Sequence, residues 1–289
     1  MSDRQTALRA ANPLVTTARL RELLQSAAPL TVLDVRWSLQ ETDRAAFDAG
    51  HVPGSWFVDL DAALADPPGR GGRHPLPGPD RFAAAMRAAG VSRHVPVVVL
   101  DQRDATAAAR LWWLLRLHGH PDVRVLDGGF DAWVSDGGPV STDRTPSMPG
   151  DFVAGAGQVG AGQVKVIDAG AAAVLAADGL LLDARSAERY AGREELVDPV
   201  AGHVPGAVSA PTADNVAPDG RLLAPQALRE RFSRLGVRDD VPVGTYCGSG
   251  ITAAHEVLAL EVAGFEAALY AGSWSDWITD PGRAVAKGS

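Results

Sequence analysis

Apolar positions fall into two kinds of stretch along the chain. Short continuous runs such as Val97-Val-Val-Leu100 and Val241–Tyr246 are apolar without alternation, as strands buried on both faces of a parallel sheet are. Between them lie alanine-rich stretches with apolar residues at helical spacing, which predict helices over Thr17–Ser26, Asp80–Ala89, Thr106–His118, Pro225–Leu235 and Thr252–Ala263. Trp112 and Trp113 are expected in the core face of the third of these. Pro-Gly pairs at 53–54 and 205–206 mark sharp turns. The alternation predicts an α/β fold, with a mainly parallel sheet flanked by helices.

The pattern occurs twice. Thr31-Val-Leu-Asp-Val-Arg36 returns as Leu180-Leu-Leu-Asp-Ala-Arg185, and Gly50-His-Val-Pro-Gly54 returns as Gly202-His-Val-Pro-Gly206. Val97-Val-Val-Leu-Asp101 corresponds to Val243-Gly-Thr-Tyr-Cys247, and Leu126–Trp133 to Tyr270–Trp277. Four blocks in the same order predict two tandem domains, 1–150 and 151–289. Gly137 to Gly162, rich in Gly, Pro and Ser, reads as the connecting segment. The first dozen residues and Ala284–Ser289 are expected to be mobile tails.

One cysteine is present in 289 residues, and it ends an apolar strand. A lone cysteine is usually just a small hydrophobe. Cys247, however, is followed by Gly248-Ser249-Gly250 and then by a helix, and a core cysteine needs no glycines beside it. Glycines allow backbone N–H groups to converge on an anion, and the helix N-terminus favours negative charge, so both stabilise thiolate over thiol. Phosphatases with a Cys-x5-Arg loop share this layout, but position 253 is Ala.

With 35 acidic and 27 basic residues the net charge is −8, which argues against a nucleic-acid or anionic-membrane surface. A single cysteine forms no internal disulfide, and a reactive thiol persists best in the cytoplasm, the expected location. The N-terminal stretch lacks the apolar core of a secretory signal.

These blocks together resemble the two-domain rhodanese-like sulfurtransferases. The loop Cys247-Gly-Ser-Gly-Ile-Thr252 is similar to that of 3-mercaptopyruvate sulfurtransferases, whereas thiosulfate-preferring members carry basic residues after the cysteine. The resemblance implies a catalytic second domain and an inert first one, since Asp101 stands where its twin has Cys247. It implies that Cys247 takes sulfur from an anionic donor as a persulfide and passes it to cyanide or to a thiol acceptor, such as thioredoxin or a small thiol. The N–H groups of Gly248, Ser249, Gly250, Ile251 and Thr252 would hold the charged sulfur. Neither a metal nor an organic cofactor is implied. Arg189 would bind the substrate anion, with Arg185 fixing the strand end or assisting, and Arg193 is the candidate for the family's second substrate arginine. Asp61, His74 and Ser249 would form a relay in which the serine polarises the substrate carbonyl or passes a proton, without itself attacking.

The tripeptide 248–250 carries no cation, which favours 3-mercaptopyruvate over the compact thiosulfate dianion. The rival readings are a thiosulfate sulfurtransferase and a non-enzymatic persulfide carrier.

Overall fold

A computed structural model describes residues 12–26, 28–38, 43–146, 148–155 and 164–288. The first unit runs β1 (Leu14–Val15), α1 (Thr17–Gln25), β2 (Thr31–Asp34), α2 (Arg44–Ala49), β3 (Trp56–Phe57), α3 (Leu60–Ala63), α4 (Pro79–Ala88), β4 (Val97–Leu100), α5 (Thr106–Leu117), β5 (Val123–Leu126) and α6 (Gly129–Ser135). The second runs β6 (Lys165–Ile167), α7 (Ala169–Asp178), β7 (Leu180–Asp183), α8 (Ala187–Tyr190), β8 (Val208–Ser209), a 3-10 turn at Thr212–Asn215, α9 (Pro225–Arg234), β9 (Val243–Tyr246), α10 (Thr252–Val262), β10 (Ala268–Tyr270) and α11 (Ser273–Trp277). Each unit has one five-stranded sheet, ordered β1-β5-β4-β2-β3 and β6-β10-β9-β7-β8, in which every pairing is parallel.

The central strands explain the apolar runs. Every residue of β4 and of β9 is buried, because helices cover both sheet faces. Trp112 and Trp113 are fully buried in α5, as their spacing predicts. Helix starts follow the expected chemistry: Thr16, Asp168 and Ser186 accept backbone N–H groups of α1, α7 and α8, and Pro79 and Pro225 open α4 and α9.

The repeated motifs have a shared physical role. Arg36 pairs with Asp34 at 3.0 Å and donates to the Gly50 carbonyl at 2.8 Å; Arg185 pairs with Asp183 at 2.6 Å and donates to the Gly202 carbonyl at 2.7 Å. His51 stacks on Phe47 at 4.2 Å, and His203 stacks on Tyr190 at 3.8 Å. Each arginine thus ties a strand end to the turn that its histidine anchors.

The units are not continuous in sequence, as a division at residue 150 would make them. The first takes residues to Ala65, Pro77–Val164 and Pro218–Leu222; the second takes Asp66–Leu76, Lys165–Ala217 and Leu223–Ser289. Nor is the C-terminal segment loose. Ala286 exchanges two backbone hydrogen bonds with His203, just as Ser141 does with His51 in the first unit. Composition hid this, because backbone pairing at an isolated bridge makes no demand on side chains. The first eleven residues lie outside those described, as do 147 and 156–162 of the connecting segment.

Candidate active site

Cys247 lies at the carboxyl end of β9, between β7 and β10, where parallel sheets place their ligands. It is 2% exposed, and its sulfur accepts the Gly250 N–H at 3.1 Å. Gly250 is required twice over: its φ is +83°, and a Cβ there would stand 2.2 Å from the Ala271 carbonyl oxygen. The turn before α11 grips the loop from behind. Trp274 N donates to Cys247 O at 3.0 Å and Ser275 N to Gly248 O at 2.9 Å, while Cys247 N donates to Ser273 Oγ at 3.1 Å. Ser273 holds φ at +56°, unusual for a residue with a side chain, and is fully buried.

The first unit carries the same turn with a carboxyl group in it. Phe130 N and Asp131 N donate to the carbonyls of Asp101 and Gln102, both at 2.9 Å, and Gly129 takes the left-handed φ that Ser273 takes in the second unit. The Asp101 carboxylate accepts four backbone N–H groups, from Arg103, Ala105, Ala107 and Ala108, at 3.0–3.1 Å. Burial nevertheless pushes its carboxyl up to about 7, with Asp104 adding to the rise and the N–H groups opposing it. A loop of this construction therefore aims backbone N–H donors at the group on the strand end. In the second unit a thiol stands at the carboxylate's position.

Three arginines were candidates for the substrate anion, and the structure separates them. Arg185 is 4% exposed, bound to Asp183 and Gly202 as described, and lies 3.5 Å from Glu195 with its guanidinium over the Trp274 ring. Burial opposes its charge, but the Asp183 carboxylate outweighs burial and raises its pKa. Arg193 has a 63% exposed side chain and faces Glu188 at 3.9 Å. Arg189 is the one near the loop: a Cβ on Gly248 would lie 3.4 Å from its Nη1 and 3.5 Å from its Nη2.

The second guanidinium at Gly248 comes from Arg73, whose Nη2 would be 2.8 Å from that same Cβ. Arg73 and Arg189, and not Arg193, are therefore the guanidiniums at this glycine. This also alters the expected electrostatics, because the loop tripeptide has no cation of its own but is faced by two. Asp198 bridges the pair. One of its oxygens bonds Arg73 Nη1, and the other lies 3.0 Å from Arg189 Nη2. Glu195 completes the cluster, accepting from Arg189 at 2.8 and 3.1 Å and from the N–H groups of Val197 and Asp198 at 3.0 Å.

His74 follows Arg73 directly, and its Nδ1 lies 2.8 Å from Ser249 Oγ. Both belong to the second unit, since Asp66–Leu76 packs there. The segment is fixed by Asp66 N to Pro75 O at 3.0 Å, and by Arg73 N to Ser275 Oγ at 3.0 Å on the turn that grips the loop. Ser249 is 4% exposed. Asp61, the remaining candidate of the relay, is an exposed residue of α3 in the first unit. Ile251 is buried and precedes α10, whose first residue is Thr252.

Further along α10, Glu256 is fully buried, 2.6 Å from Asn215 Nδ2 and 3.6 Å from Arg231 Nη1. Burial pushes its carboxyl up to about 7 against the pull of Arg231.

Sequence reasoning did not single out Arg73, Asp198, Glu195 or Ser273. A signal existed for the last: a serine occupies a slot where the repeat has Gly129. Arg73 offered only adjacency to His74.

Comparison with known proteins agrees with this geometry. A family model described as Rhodanese-like domain matches twice, over residues 16–136 and 167–280. The chain is 45% identical over 285 residues to a Pseudomonas aeruginosa protein named "Probable 3-mercaptopyruvate sulfurtransferase", covering 95% of this chain and 98% of that one. It is 32% identical over 279 residues to mouse thiosulfate sulfurtransferase, covering 91% of each. Among solved structures, SseA from Escherichia coli, described as a 3-mercaptopyruvate sulfotransferase, superposes with a TM-score of 0.78 at 29% identity, covering 92% of this chain and all of the other.

Proposed function

Because the chain belongs to the two-domain rhodanese-like sulfurtransferases, we propose that it moves sulfur from 3-mercaptopyruvate, through a persulfide on Cys247, to a thiol acceptor or cyanide. The Cys247 thiolate attacks the donor sulfur, forming an S–S bond as the C–S bond breaks. The electron pair of the C–S bond passes to the neighbouring carbonyl, giving the enolate of pyruvate, which takes a proton to leave as pyruvate. An acceptor thiolate then removes the outer sulfur and restores Cys247. Thioredoxin and small thiols are acceptors of suitable chemistry. The cytoplasm supplies the reducing setting that a single reactive thiol needs. Among the described residues no helix is long and apolar enough to cross a membrane.

The observation that carries the donor assignment is the 2.8 Å contact between His74 Nδ1 and Ser249 Oγ. A hydroxyl so held can donate to a carbonyl oxygen as charge develops on it, which is useful for mercaptopyruvate and of no use to thiosulfate. Arg189 is placed to receive the donor carboxylate, for which a guanidinium fork is well suited. The test is steady-state kinetics with both donors and one acceptor. We expect kcat/KM for 3-mercaptopyruvate to exceed that for thiosulfate by at least about tenfold, or ~1.4 kcal/mol. Parity, or preference for thiosulfate, overturns the assignment.

Thiosulfate is the second reading, and one observation favours it. Two guanidiniums face Gly248, next to the nucleophile, where a compact dianion would need them.

A further inference from the structure

We infer that Arg73 is a donor-selecting residue: with Arg189 it forms a two-guanidinium seat for the anionic group next to the transferred sulfur, and Asp198 sets the spacing of that seat. The inference rests on Cys247 transferring sulfur, but concerns which part of the donor is held and by what.

The geometry is specific. Arg73 Nη1 is committed to Asp198, while Nη2 is the atom nearest the Gly248 position, 2.8 Å from where a Cβ would be. Arg189 uses Nε and Nη2 on Glu195 and Asp198 and turns Nη1 towards the same point, 3.4 Å away. Among the described residues neither Arg73 Nη2 nor Arg189 Nη1 makes a hydrogen bond, so each guanidinium presents one open corner to the loop. Gly248 has no positive φ. What a side chain there would cost is the approach of these two cations. Arg73 is 25% and Arg189 19% exposed at the side chain, whereas Asp198 and Glu195 are 2% and 3%, so the carboxylates form the floor and the guanidinium corners remain reachable.

The charge arrangement favours an anion at the two open corners. Arg73 loses basicity through burial and then through Arg189, with the Cys247 sulfur and Glu195 partly offsetting. Two like charges converging on one point are relieved by a negative group placed between their open corners. In thiosulfate the charge is shared between the terminal sulfur that is transferred and the oxygens on the sulfur bonded to it. As Cys247 attacks, the new S–S bond forms, the S–S bond of thiosulfate breaks, and sulfite departs with the electron pair as a dianion. That dianion forms beside Arg73 Nη2. In 3-mercaptopyruvate the carboxylate is two carbons removed from the sulfur and is served by Arg189. Arg73 therefore contributes more to thiosulfate than to mercaptopyruvate.

The test compares wild type with Arg73→Ala, Arg73→Lys and the double variant Arg73→Ala/Asp198→Asn, which leaves no carboxylate without its cation. Loading of Cys247 by each donor is followed by intact mass, kcat/KM is measured for both, and sulfite binding is measured by calorimetry. We expect Arg73→Ala and the double variant to lower kcat/KM for thiosulfate by at least about tenfold and for mercaptopyruvate by no more than about threefold, with sulfite affinity falling in parallel and Arg73→Lys intermediate. A purely structural role would lower both donors alike, and equal losses or an unmoved ratio overturn the inference. Failure of the wild type to load Cys247 from either donor would instead defeat the sulfur-transfer reading. Sulfite binding still judges the seat in that case, and an affinity unchanged by Arg73→Ala overturns it.

Discussion

His74 Nδ1 and Ser249 Oγ are 2.8 Å apart although 175 positions separate them in the chain. The contact fixes the loop serine hydroxyl against the imidazole, and with Nδ1 protonated it leaves the hydroxyl hydrogen free to point at a donor carbonyl. Ser249→Ala is expected to lower kcat for 3-mercaptopyruvate roughly a hundred- to a thousandfold, the range for removing a donor at a developing oxyanion. Thiosulfate turnover should fall far less, because no carbonyl is involved. Parallel assays with both donors check the difference, and His74→Asn should reproduce its direction.

Cys247→Ser should abolish sulfur transfer with any donor while leaving the fold intact. No other thiol exists in the chain, and a serine hydroxyl forms no persulfide. Residual turnover above a trace, measured with far-UV circular dichroism as the folding control, would be incompatible with covalent transfer through this residue.

Arg189→Ala is expected to raise KM for an anionic donor by about ten- to a hundredfold, corresponding to ~1.5–3 kcal/mol for a charge-assisted contact. Arg229 is the control. It lies on α9 with a 41% exposed side chain and pairs with Asp239 at 3.1 Å, so Arg229→Ala should leave KM near the wild-type value.

Ser273 invites a comparison of two substitutions. Its left-handed φ costs a side-chain-bearing residue roughly 1–2 kcal/mol, and its hydroxyl recovers part of that by accepting Cys247 N. Ser273→Ala keeps the strain and loses the hydrogen bond, so Tm should fall, by an amount equivalent to about 1 kcal/mol. Ser273→Gly loses the same bond but releases the strain, and should melt close to wild type. Gly129 in the first unit already occupies the matching position with φ +60°. Equal Tm losses for the two variants would contradict this account.

The overall architecture was legible because burial of parallel strands on both faces writes itself as apolar runs, and because the duplication presented each motif twice. Cys247 stood out through its glycines, and Arg189 and His74 through resemblance. Asp198 and Glu195 gave no signal. Their role depends on a turn that aims two carboxylates inwards, and in sequence they are ordinary acidic residues on a polar stretch. Arg73 was concealed for a related reason: whether an arginine is a surface charge or a ligand depends on where its segment packs. Residues 66–76 lie in the first half of the sequence but in the second unit.

Glu256 makes a pH prediction with a definite sign. Its folded pKa is raised from 4.5 to about 7, chiefly by burial, so the folded state binds the proton more tightly than the unfolded state. The stabilisation is present below about 4.5 and is lost as pH rises towards 7, amounting to roughly 1–3 kcal/mol. Glu256→Gln cannot ionise. The Tm of the variant relative to wild type should therefore rise between pH 5 and pH 8, and a flat difference would show that Arg231 keeps the acid ionised throughout.

The placement of residues 66–76 also bears on the history of the chain. A duplicated domain that has Asp101 where its twin has Cys247 would ordinarily be separable from that twin by deletion. Here deletion is blocked, because the eleven-residue segment lies within the first copy's stretch of sequence yet folds with the second and brings His74 and Arg73 to the loop. A gene trimmed to the second copy would encode Cys247 and Ser249 without the histidine that contacts Ser249 and without one of the two guanidiniums at Gly248. The two sequence halves are thus joined by more than a linker, because part of the second unit is encoded within the first half.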